Sequence, residues 1–131
     1  MSIPQLVTAA TDPCDIIRRW KVAPQVAERA VRMANLLPFD ISIISGYRSP
    51  EHQEELIKQG RPAAPVGLSN HTSCPATALD FRVAPTATRS VKAEFGRAAT
   101  MVGFRWGGGS PPDDAGIPSD WNHVDLGPRN R

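Results

Sequence analysis

The chain has three histidines, and two of them lie close to aspartates. Asp80 follows His71 at a separation of nine, and Asp120 and Asp125 flank His123. Imidazole nitrogen and carboxylate oxygen are the donors of catalytic zinc sites, which take three protein ligands at about 2.0–2.2 Å and leave a fourth position for water. His71, Asp80 and His123 supply such a set if the fold brings them together. Spacing alone is equally compatible with two histidines satisfied separately in the core or at the surface. Asp125, two residues after His123, falls on the same face of a strand; it could orient the imidazole through a hydrogen bond or could equally be a surface strand residue. Cys74, three after His71, reads as a small thiol rather than a further ligand. His52 reads as a solvated or capping helical residue, and Asp113 and Asp114 as solvated loop acids.

These residues punctuate a mixed pattern of helices and strands. Apolar residues recur at three- and four-residue steps over 24–37, an amphipathic helix with Pro24 at its first position and Pro38 as its stop. A shorter helix over 15–20 takes its cap from Thr11 or Asp12. Residues 39–44 alternate and then turn apolar, a strand running into Ser45 and Gly46. Ser49 and Pro50 open a helix that Gly60 closes. Residues 61–77, with no periodicity, form a long loop of the kind that is usually functional. Residues 78–83 form a second strand and 90–101 a third amphipathic helix ended by Gly103. Residues 104–106 are a short strand, 107–119 a Gly/Pro/Asp loop, and 121–126 a last strand. Without a strict βαβ rhythm, the expected class is α+β with an antiparallel sheet.

At 131 residues and 14.2 kDa one domain spanning 1–131 is expected, long enough to fold without disulfides. Cys14 and Cys74 fit neither a disulfide scaffold nor a cysteine metal ribbon, though one long-range bridge stays open. The 15 basic and 13 acidic residues are not gathered into blocks, which argues against a nucleic-acid partner. No apolar run is long enough to cross a membrane. The segment MSIPQLVTAATDP has no basic region followed by an apolar stretch, so the expectation is cytoplasmic synthesis without a secretory signal.

Four motifs in order sharpen this. Ser45-Gly-Tyr-Arg-Ser49 with Gln53 four residues on, Ser69-Asn-His71, Ala78-Leu-Asp80 and Asp120-Trp-Asn-His123 together resemble the peptidoglycan-cleaving metallopeptidases of the M15 family. These are D-alanyl-D-alanine carboxypeptidases and L-alanyl-D-glutamate endopeptidases, phage endolysins among them. The resemblance runs from about residue 40 to 126. It implies a small antiparallel sheet with helices packed on one side, as in the Hedgehog signalling domain. It also implies Zn2+ on His71, Asp80 and His123, a catalytic carboxylate at Asp120, and the motif arginine at Arg48. Ser69, Arg48 and Gln53 would face the substrate. The nine-residue step from His71 to Asp80 departs from the commonest spacing of seven and is similar to many phage members. Asp120 stands where carboxypeptidases often carry glutamate, which is similar to the endolysin branch.

Lying three before His123, Asp120 would point to the opposite face of a straight strand, so it must come from a turn ahead of it. Arg48 would offer a fixed cation for a developing oxyanion or a substrate carboxylate. The expected activity is hydrolysis of bacterial peptidoglycan stem peptides by a monomeric phage or prophage lysin, released to the cell wall or carried in the virion. L-Ala–D-Glu is favoured over D-Ala–D-Ala as the bond cut. The alternative is a non-catalytic zinc-containing wall-binding module of the same fold.

Overall fold

The computed structural model describes residues 3–60, 70–84 and 86–127. Three of its helices open on proline, whose fixed φ suits the first helical turn and whose missing N–H costs nothing there. These are α1 (Pro13–Trp20), α2 (Pro24–Leu36) and α3 (Pro50–Lys58); α4 spans Arg89–Met101. Asp12, Ser49 and Thr88 cap α1, α3 and α4 by accepting from the N–H groups of Cys14, His52 and Val91. Helix α2 starts without a side-chain cap and relies on its buried stripe Val26, Ala27, Ala30 and Met33.

Five antiparallel strands form one sheet: β1 (Gln5–Val7), β2 (Ile41–Ser45), β3 (Ala78–Val83), β4 (Arg105–Trp106) and β5 (His123–Asp125). Their spatial order is β1–β2–β3–β5–β4. The α+β class expected from the sequence is therefore the one found. Alternation divides the sheet. Leu79, Phe81 and Val83 of β3 and Val124 of β5 join Ile41, Ile43, Val7 and the helix stripes in one core, while Asp80, His123 and Asp125 rise from the other face. Phe95 of α4 packs edge-to-face on both Phe81 and Trp121, with ring centroids 5.7 Å apart in each pair.

The last strand is shorter than the 121–126 expected, because residues 119–122 form a turn. Strand β1 has no counterpart in the sequence pattern: three residues with Leu6 half exposed carry no readable alternation. Within the expected 107–119 loop, Gly107–Gly109 form a 3-10 turn, each with positive φ. Cys14 and Cys74 are both exposed free thiols. Asp113 is occupied by its own turn, accepting from the N–H groups of Ala115 and Ile117.

Candidate metal centre

Asp80 and His123 face each other directly in the β3–β5 ladder, so both side chains leave the same face of the sheet. His71 arrives from the turn ahead of β3, held there by the bond from the Arg48 N–H to its carbonyl at 2.7 Å. The three donor atoms form a small triangle. His71 Nε2 lies 3.3 Å from Asp80 Oδ1 and 3.2 Å from His123 Nδ1, and the third edge, His123 Nδ1 to Asp80 Oδ1, is 2.9 Å. Both imidazoles are buried.

Each ring is oriented from behind. His71 Nδ1 lies 2.6 Å from the Gly46 carbonyl, which can only accept, so Nδ1 carries the proton and Nε2 offers a lone pair. Gly46 has to be glycine: a Cβ there would stand 2.6 Å from both Cβ and the carbonyl oxygen of Trp20. His123 Nε2 lies 2.7 Å from Asp125 Oδ2, which turns Nδ1 toward the triangle. Asp125 is itself fixed, accepting from Arg105 Nε and Nη2 at 2.8 and 3.0 Å and from the Gly127 N–H at 2.7 Å. Gly108, with φ +61, closes over the ring, where a Cβ would meet His123 Cδ2 at 2.8 Å.

The donor chemistry fits a divalent ion. Tetrahedral ligands at about 2.0–2.1 Å are separated by about 3.3 Å, close to the edges of this triangle. Two imidazole nitrogens aimed at one another beside a carboxylate oxygen need a proton or a cation between them. Among the described residues, His71, Asp80 and His123 are the group able to hold a metal ion; Cys74, exposed, is not part of it.

The charges are tightly coupled. Burial disfavours a charge on His123, but the bonds to Asp125 and Asp80 outweigh it and push its pKa up to about 9. Burial likewise opposes ionisation of Asp80, yet His71 and His123 hold it well below the usual carboxylate range. Asp125 is lowered too, where its bonds to His123 and Arg105 overcome its burial. Asp120 moves the other way: burial and the neighbouring Asp80 charge raise it, against a smaller opposing pull from His123, His71 and Arg48.

Asp120 sits in the turn just ahead of β5, as its spacing from His123 requires. Its N–H donates to Ser110 Oγ at 3.0 Å and its carbonyl accepts from the His123 N–H at 3.1 Å. The Arg48 fork is spread over three acceptors: Nη2 to Asp80 Oδ2 at 2.5 Å, Nη1 to Gln53 Oε1 at 3.2 Å and Nε to Ser45 Oγ at 3.1 Å. Its guanidinium thus braces a donor of the triangle. Gln53, expected at the substrate, has no exposed surface and lies behind Arg48. Ser69 lies outside the described residues. Arg105 carries no signal in the sequence, and only the pairing of β4 with β5 sets it opposite Asp125.

The fold and the face on which these residues meet define a class, the DD-peptidase-like α+β fold. The crystal structure of the Serratia marcescens L-Ala D-Glu endopeptidase ChiX matches with a TM-score of 0.64 and 20% sequence identity, covering 92% of this chain and 90% of that one. No family model and no curated protein matches the chain.

Proposed function

We propose that the protein is a zinc-dependent peptidase of the M15 type that cleaves peptidoglycan stem peptides, with the L-Ala–D-Glu bond favoured over D-Ala–D-Ala. The observation that carries this reading is the triangle of His71, Asp80 and His123, with each imidazole fixed from behind so that one lone pair faces inward. The likeness of the fold to an L-Ala D-Glu endopeptidase supports the choice of bond.

A zinc ion held by the three donors would polarise the scissile carbonyl and acidify water, lowering its pKa to about 7. The remaining work falls to the chain. Asp120 takes the proton of the attacking water and passes it to the leaving amine, and its raised pKa brings it closer to the pH at which it must both accept and donate. Arg48 is a positioning residue that aims Asp80. Asp125 and Arg105 keep the His123 proton on Nε2, which would leave Nδ1 free to hold the ion. Ser69 is proposed on the substrate side. A phage or prophage lysin acting at the cell wall is the setting that goes with this chemistry.

Purified protein should carry about one zinc per chain, lost in His71→Ala, Asp80→Ala and His123→Ala. Mass spectrometry of fragments released from defined muropeptides should identify an L-Ala–D-Glu cut. Asp120→Ala should keep zinc and fold while losing release. Full zinc retention in all three ligand variants would remove the assignment. Wild-type protein that holds zinc and binds murein without releasing fragments would be a wall-binding module instead.

A further inference from the structure

A cleft of about 630 Å³ opens between the end of α1 and the end of β2. Its lining includes Arg19, Lys21, Ile44, Tyr47, Arg48 and His52. Among the described residues, three of the lining side chains are cationic and none is acidic, in a chain whose 15 bases are nearly balanced by 13 acids. Two of these cations are already engaged. Arg48 holds Asp80, and Arg19 donates to the Ile3 carbonyl while its guanidinium lies 5.0 Å from the centre of the Trp20 ring.

Lys21 differs. It is exposed, and no ion pair among the described residues involves it. Its backbone is nonetheless pinned on both sides. With φ 55 it ends α1, its N–H donates to the Ile17 carbonyl at 2.9 Å, and its own carbonyl accepts from the Ala76 N–H at 2.9 Å. An ammonium on a fixed root at the rim of an acid-free cleft is a counter-charge awaiting an anion. The cleft is linked to the candidate metal centre through two of its lining residues, since the Gly46 carbonyl meets His71 Nδ1 and Arg48 donates to Asp80 Oδ2.

Resting on the peptidase reading above, we propose that this cleft is the subsite for a free carboxylate of the peptide substrate, with Lys21 as its specificity-determining counter-charge. Ile44 and Tyr47 supply the apolar wall along which the peptide's hydrocarbon lies. A D-glutamyl residue joined through its γ-carbonyl leaves its α-carboxylate free, and amidation of that carboxylate removes the charge that Lys21 would read.

The test uses zinc-loaded protein and two forms of one probe, γ-D-glutamyl-diaminopimelate with its glutamyl α-carboxylate free or amidated. Binding is measured by calorimetry, and cleavage of the matching L-Ala-extended peptides by mass spectrometry. The wild type should prefer the free acid about tenfold, the scale of one charge-assisted bond. Lys21→Gln should bring that ratio to about one, Lys21→Glu should invert it, and Lys21→Arg should retain most of it, with thermal melts reporting that each variant is folded. A wild-type preference that survives in folded Lys21→Gln, no preference in the wild type, or no binding of either probe would overturn the subsite. If Lys21-dependent binding is found without cleavage, the subsite stands and the peptidase reading falls. Cleavage without a Lys21-dependent preference removes the subsite and leaves the peptidase reading in place.

Discussion

His123 Nδ1 lies 2.9 Å from Asp80 Oδ1, a contact that a proton on Nδ1 would bridge in the metal-free protein. With its pKa pushed up to about 9, His123 holds that proton at neutral pH, so loading a metal must expel it. Calorimetric titration of zinc at pH 7.5 in buffers of different ionisation enthalpy should report release of about one proton per chain. The same shift has a signed effect on stability. The folded pKa lies above the ordinary histidine value of 6.5, so the contribution of this ion pair is complete below about pH 6.5 and is lost as pH rises through about 9. The Tm of the metal-free protein should therefore fall over that interval. Asp125 makes a separate prediction: Asp125→Asn turns an amide toward Arg105 and weakens the hold on the His123 Nε2 proton. Zinc affinity should drop about 10–100-fold in competition with a chromophoric chelator, while circular dichroism stays native. Residue types nominated the candidate triad, but spacing alone left two separately satisfied histidines open, and it was the four motifs taken together that pointed to His71, Asp80 and His123 as one group. The bracing by Arg48 and Arg105 was not legible, because it depends on which residues face each other across strands.

The elements that carry the site were readable to different degrees for physical reasons. Capping chemistry is local, so Asp12 and Ser49 with the prolines marked the starts of α1 and α3 to within a residue or two, whereas Thr88, the cap of α4, was not read as one. Strand β3 was readable in full, since six alternating residues are enough to reveal period two. Strand β1 and the 3-10 turn at Gly107–Gly109 were not, since three-residue elements carry no period of their own. At the end of β2, Gly46 joins strand, helix and metal centre: it packs against Trp20 and its carbonyl orients His71. Gly46→Ala forces a Cβ into the backbone and side chain of Trp20. Urea unfolding should show a loss of about 1–3 kcal/mol, accompanied by weaker metal binding as the carbonyl is displaced. A stability loss with unaltered metal affinity would separate the packing role of Gly46 from its role behind His71.

At the scale of the molecule, the three proposed ligands come from the turn ahead of β3, from β3 and from β5, so an ion there would bind the folded chain and find no preformed site in the unfolded one. Stabilisation by mass action is about 2.7 kcal/mol at a hundredfold excess over Kd. Adding a chelator should lower Tm by several degrees, and adding zinc back should restore it; a chelator-insensitive Tm in protein shown to bind zinc would mean the site is equally formed in the unfolded chain. The sheet has one further property, set by its rims. The outermost strands, β1 and β4, are three and two residues long. A stray extended chain would find room there for only a few backbone bonds, which limits sheet-to-sheet growth and favours survival as separate molecules at high concentration.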